Sequence, residues 1–288
     1  MTADLIQIES DALVVTVSAL GAELQSLEAD GAQWLWHGDA TFWGGRAPVL
    51  FPIVGRGPDD TISVDGHVAA MRQHGFARRS LFLLEEVGAD FCRHVLTDSA
   101  ETRALYPRPF RLEVRHDVSG RTLRETAIVT NTGDRPMPFG LGFHPAFAWP
   151  LPGAEGLPHE ICLDNGAAPA LARLRDGYLT ETRDPSPFEA GRLRVTPDLF
   201  EADAMIFPEG AGSGLRYGPA EGPGLKFSFE NTPNLGIWTK PGAPFLCIEP
   251  WHGMAARAGA GPEVAERPDS VLLPPGETLK FGWSITLE

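Results

Sequence analysis

Thr278-Leu279-Lys280-Phe281-Gly282-Trp283-Ser284-Ile285-Thr286-Leu287 is the stretch that decides the fold. Apolar side chains recur at 279, 281, 283, 285 and 287, and Lys280, Gly282, Ser284 and Thr286 fall between them. A period of two places the sets on opposite faces of a β-strand, one of which is buried. Upstream, Phe110, Leu112, Val114 and Val118 repeat the pattern against Arg111, Glu113 and Arg115. Ser119-Gly120-Arg121 reads as a hairpin turn into a strand over 123–130, which Asn131-Thr132-Gly133-Asp134 closes. Leu225, Phe227 and Phe229 alternate with Lys226, Ser228 and Glu230, and residues 13–18 and 245–248 are further strands. Helical patterns are scarce, with short turns expected at 39–42, 197–200 and 268–270. The 32 glycines and 26 prolines punctuate the chain at short intervals. The Gly-rich residues 210–223 read as a surface loop. Together these features predict an all-β fold, a large antiparallel β-sandwich with few short helices. No linker or charge block divides the text, so a single domain over 1–288 is expected.

A net charge of −14 excludes the basic footprint that nucleic acid requires. No apolar run is long enough for a membrane helix, and the first residues do not read as a signal peptide, so a cytoplasmic protein is expected. Cys92, Cys162 and Cys247 are far apart and odd in number, which reads as neither a disulfide framework nor a metal clamp. Phosphate-loop, dinucleotide-binding, serine-elbow and His-Glu-x-x-His motifs are all missing from the text. The reading is therefore an enzyme or binding protein with no cofactor and no metal.

Four segments carry ionisable residues inside apolar strand-and-turn text. Arg46 and Arg56 flank Ala47-Pro48-Val49-Leu50-Phe51-Pro52-Ile53-Val54-Gly55, a buried strand whose arginines read as solvated strand ends or ligand contacts. In Gln73-His74-Gly75-Phe76-Ala77-Arg78, His74 is either a turn residue or, with Gly75 bending the chain, a group projecting into a pocket. His144 lies among aromatics and glycines in Phe139-Gly140-Leu141-Gly142-Phe143-His144-Pro145-Ala146-Phe147, either as a satisfied core histidine or lining a site. Glu249, in Phe245-Leu246-Cys247-Ile248-Glu249-Pro250-Trp251, shares a strand face with Phe245 and Cys247, where desolvation raises a carboxyl pKa unless a partner compensates. Asp203, ahead of Ala204-Met205-Ile206-Phe207, is a weaker candidate with a turn or capping reading beside it. One carboxylate and two histidines on a β scaffold suit proton transfer on a neutral polar substrate. Trp34, Trp36, Trp43, Trp149, Trp238 and Trp251 offer a flat apolar wall for a sugar face, or simply core.

With these segments in order, the chain resembles the aldose 1-epimerase (mutarotase) family, most closely its LacX-like branch. The resemblance runs from Gly21-Ala22-Glu23-Leu24 and Trp34-Leu35-Trp36-His37-Gly38-Asp39, through the segments above, to Leu272-Leu273-Pro274-Pro275-Gly276-Glu277. It implies a galactose mutarotase-like supersandwich with a sugar bound in a cleft across one sheet. It further implies Glu249 as general base, His144 in protonated form as general acid, and His74 near the ring oxygen. Asp203 would hold sugar hydroxyls, and Arg46, with Arg78, would complete the substrate contacts. Acid and base would stand several ångströms apart on rigid strands. The implied reaction interconverts α and β anomers of a hexose. Two alternatives are a hexose-6-phosphate 1-epimerase, with Arg46 and Arg78 on the phosphate, and a non-catalytic carbohydrate-binding protein. The partner is a small sugar, and a monomer or homodimer is expected.

Overall fold

The computed structural model describes residues 4–288. Thr278–Leu287 sits at the middle of a nine-stranded antiparallel sheet, as its alternation requires. Thr122–Asn131, Phe110–Ser119, Phe91–Thr97 and Leu83–Val87 follow on one side; Leu225–Glu230, Gly214–Pro219, His159–Leu163 and Arg192–Arg194 follow on the other. Phe281, Trp283 and Ile285 are fully buried, as are Leu112, Val114 and Leu123 on the neighbouring strands. Each such side chain contributes about 1.5–3 kcal/mol of transfer free energy. A six-stranded antiparallel sheet covers this face. Its path runs Met205–Phe207, Asn234–Trp238, Phe245–His252, Leu141–Phe143 and Val49–Leu50, with Ala146–Ala148 also paired to Phe245–His252. Leu246, Ile248 and Phe147 point into the shared core, where the Phe147 ring meets Phe227 and Trp283 at centroid distances of 5.3 and 6.0 Å. The alternate residues, Phe245, Cys247, Glu249 and Trp251, take the outer face of that sheet. A four-stranded sheet, Leu5–Glu9 to Ala32–Gln33, adds its apolar face to the same core.

The predicted hairpin at Ser119-Gly120-Arg121 is present, with Ser119 opposite Thr122. Residues 197–200 form a 3-10 turn, whereas 39–42 and 268–270 are turns without helix. The α-helix Ala100–Leu105 was not legible from apolar periodicity; a capping box between Ser99 and Thr102 starts it. The loop expected over 210–223 is corrected: Gly214–Pro219 is an interior strand of the nine-stranded sheet. Leu215 and Tyr217 face the core, and the glycine at 214 leaves room for the neighbouring strand, since a Cβ there would meet the Phe227 carbonyl at 2.9 Å.

One row on the buried face is polar. Cys92, His116, Glu125 and Trp283 are successive cross-strand partners. The Trp283 indole N–H donates to Glu125 at 3.0 Å, and His116 Nε2 lies 3.7 Å from the other carboxylate oxygen. Burial pulls the His116 imidazole down, but Cys92 and Glu125 outweigh it and push it up to about 10.

Candidate functional site

The outer face of the six-stranded sheet forms the floor of a cleft of about 260 Å³. Glu249 reaches it by strand alternation and is 2 % exposed. His144 stands at the break between Leu141–Phe143 and Ala146–Ala148, where Pro145 interrupts the strand, and is 7 % exposed. Its Nε2 lies 3.2 Å from Glu249 Oε2. The expected separation of several ångströms is therefore corrected: the two groups touch. Trp43 stacks on the imidazole at 4.8 Å with a 29° tilt, and Trp238 meets it edge-on.

Burial pushes the Glu249 carboxyl well up, against the Arg78 charge, with Asp203 adding to the rise and the Trp251 indole N–H opposing it. Burial pushes His144 well down, and His74 and Arg78 push the same way. A free carboxyl and imidazole differ in proton affinity by about two pKa units. Raising one and lowering the other moves the proton's preference away from the imidazole and toward the carboxyl.

His74 is held from both sides by Gly55. The His74 backbone N–H donates to the Gly55 carbonyl at 2.9 Å, and the Gly55 N–H donates to His74 Nδ1 at 3.1 Å. An accepting Nδ1 leaves the ring proton on Nε2. Burial, reinforced by Arg78, Arg79 and Arg267, lowers the imidazole to about 3, so the ring is a neutral donor. Gly75 is required here: at φ +73° a Cβ would lie 2.1 Å from the Phe51 carbonyl oxygen. Arg267 braces this corner. Its buried guanidinium donates to the carbonyls of Val54 at 2.6 Å, Met254 at 3.1 Å and Arg56 at 3.2 Å, on both sides of Gly55 and across to the facing strand end.

Asp203 also lines the cleft, with left-handed backbone at φ +66°. Arg78, on the 3-10 turn Ala77–Arg79, opens onto the cleft. Its charge lies near Glu23 and Glu249, and among the described residues none forms an ion pair with it. The structure thus gathers Glu249, His144, His74, Asp203 and Arg78 around one space. Arg46 is corrected: it is not part of the lining. Its backbone N–H donates to Glu23 at 2.8 Å, its carbonyl accepts from Ala146, and its guanidinium covers Gly38. The segment that carries it is stitched to its neighbours by backbone bonds that turn the side chain away.

Sequence reasoning did not separate Trp43, Trp238 and Trp251, which line the cleft, from the other tryptophans. It also missed the flat seat of Trp251. A Cβ on Gly142 would lie 2.5 Å from Trp251 Cδ1, and one on Gly236 would lie 2.5 Å from Cη2. The indole spreads across both flanking strands because its partner Gly142 on one side and Gly236, the partner of Glu249, on the other lack side chains. The two glycines were the readable signal, but only strand pairing identifies what they accommodate.

A family model described as aldose 1-epimerase matches residues 4–165. The chromosomal and plasmid LacX proteins of Lactococcus lactis subsp. lactis are 30% and 29% identical to this chain, each covering 98% of it and 99% of the relative. A galactose mutarotase related enzyme of Lactobacillus acidophilus superposes with a TM-score of 0.93 at 30% identity, over 99% of this chain and 97% of that one. A galactose mutarotase-like protein of Lactobacillus casei superposes with a TM-score of 0.91 at 26% identity, over 99% and 100%.

Proposed function

Because the chain belongs to the aldose 1-epimerase family, we propose that it interconverts the α and β anomers of an unphosphorylated hexose by general acid/base ring opening. The observation that carries this reading is the 3.2 Å contact between His144 and Glu249 on the floor of a sugar-sized cleft. In a pyranose hemiacetal the hydroxyl on C1 and the ring oxygen share one carbon, so a base and an acid in mutual contact reach both. Glu249 takes the proton from the C1 hydroxyl as His144 gives one to the ring oxygen, and the C1–O5 bond breaks. The proton has then moved from imidazole to carboxyl within the pair. Rotation about C1–C2 presents the other face of the aldehyde, and ring closure returns both protons. His74 Nε2–H and Arg78 donate to sugar oxygens, Asp203 accepts from hydroxyls, and Trp43, Trp238 and Trp251 cover apolar faces of the ring.

Among the described residues Arg78 is the only guanidinium in the lining, beside two carboxyl groups. That balance favours a neutral hexose over a dianionic phosphate ester. The test is polarimetric relaxation of fresh α-glucose, α-galactose and glucose 6-phosphate with and without protein. Glu249→Gln is expected to lower the catalysed rate by about 10²–10⁴-fold while sugar binding persists. Wild-type anomerisation by Glu249→Gln would remove the base from the scheme.

A further inference from the structure

Cys247 plays no part in the proton relay, yet it lies against it. It precedes Glu249 by two residues on the same strand face, is fully buried, and bonds to no other cysteine. One ligand atom each from His144, Cys247 and Glu249 lie within 4.8 Å of one another. We propose that these three side chains form a site for a thiophilic divalent cation of the Zn²⁺ or Cd²⁺ class, whose occupancy shuts off the enzyme.

The donor set and the charge balance carry the argument. Tetrahedral Zn²⁺ with sulfur, nitrogen and oxygen ligands at about 2.0–2.3 Å places its donors roughly 3.4–3.7 Å apart. His144 and Glu249 are already at 3.2 Å, and closing the widest gap from 4.8 Å takes a movement of about 1 Å at side-chain ends. Metal ligands bind deprotonated, so entry of the dication expels the thiol proton and any proton on the carboxyl or the imidazole. A thiolate, a carboxylate and a neutral imidazole around a doubly charged ion make a site with no net charge, which suits a desolvated pocket. Two of the three donors, His144 and Glu249, line the cleft, so water or a sugar hydroxyl is at hand for the fourth position. A mixed sulfur, nitrogen and oxygen set prefers Zn²⁺ and Cd²⁺ to Mg²⁺ or Ca²⁺. The spacing of the cysteines along the chain shows none of this, because two of the three donors are not cysteines and one comes from another strand.

Binding stands on the donor geometry alone; inhibition rests on the mutarotase reading, and the experiment separates them. Apo protein is titrated with Cd²⁺, and the ultraviolet thiolate-to-metal charge-transfer band is followed alongside polarimetry with glucose. The expected result is one equivalent bound with the band present. Loss of anomerisation is relieved by a chelator and by high sugar concentration, and Mg²⁺ at equal concentration does nothing. Cys247→Ala is expected to keep anomerisation at the wild-type rate, lose the band and resist inhibition at least tenfold. Should that variant fold poorly, Cys247→Ser replaces it, and Glu249→Gln, which keeps the thiol, is expected to bind Cd²⁺ at least tenfold more weakly. No band with wild-type protein, or an undiminished band in Cys247→Ala, overturns the site. A band in wild type without loss of anomerisation overturns the inhibition. If no sugar is anomerised at all, the function reading fails while the charge-transfer titration still decides the metal site.

Discussion

Gly236→Ala tests how tightly the cleft floor is built. Gly236 is the strand partner of Glu249 and does not have positive φ, so alanine meets no backbone obstacle there. Its new Cβ, however, would lie 2.5 Å from Trp251 Cη2 and 2.6 Å from Cζ2, where ordinary contact begins at 3.4 Å. The deficit of about 0.9 Å falls on an indole pinned on its other edge over Gly142, so the ring must tilt or the strands must part. Overpacking of this kind costs about 1–3 kcal/mol. The tilt also moves the ring that lines the cleft beside Glu249, and a shift of about 1 Å at reacting groups is enough for a loss of up to about 10²-fold. Gly236→Ala is therefore expected to lower kcat/KM by about 10–100-fold with a measurable fall in Tm. Polarimetry and thermal melts read the two effects. Gly261→Ala, where a Cβ meets nothing within 4 Å, is the control. Adding Trp251→Phe, whose smaller ring vacates the contested positions, is expected to couple favourably with Gly236→Ala in a double-mutant cycle. Wild-type kcat/KM and Tm in Gly236→Ala would refute the reasoning, because the indole would then have room to move without consequence.

Two further outcomes follow from the same geometry. In the proposed mechanism the His144–Glu249 pair works with one proton, and the acid limb of the rate profile is uptake of a second. Burial, His74 and Arg78 all resist that uptake, so the catalysed rate is expected to stay level as pH falls from about 7.5 to about 6.5, with the acid limb lying below the ordinary imidazole value; a limb at or above about 6.5 contradicts the pair. Arg267→Met removes three donations to backbone carbonyls behind the Gly55 corner. It is expected to cost about 2–4 kcal/mol in denaturant unfolding and to raise KM for sugar through a loosened His74; unchanged stability and KM would show that the corner holds itself.

The polar row Cys92, His116, Glu125 and Trp283 on the buried face shows where one-dimensional reading stops. Alternation correctly turns His116 and Glu125 inward, but only register makes them neighbours, with Trp283 satisfying one carboxylate oxygen. Gly214–Pro219 fails in the opposite sense. Its glycines read as loop, and its place as a strand comes from partners on both sides rather than from its own side chains.

What the sequence determined by itself is the local physics. A period of two over 279–287 and 110–118 dictates strands with one wet face, and Ser119-Gly120-Arg121 dictates a reversal. Alternation also places Glu249 on a face with Phe245 and Cys247, before any partner is known. That His144 lines the cleft and meets Glu249 at 3.2 Å was decided by tertiary structure. So was the position of the two arginines, Arg78 on the cleft lining and Arg46 away from it. The reason is that sheet pairing is non-local: Thr278–Leu287 bonds to Thr122–Asn131, and Phe245–His252 to Leu141–Phe143. Periodicity chooses a face, but distances across that face depend on which distant strand arrives beside it and in which register.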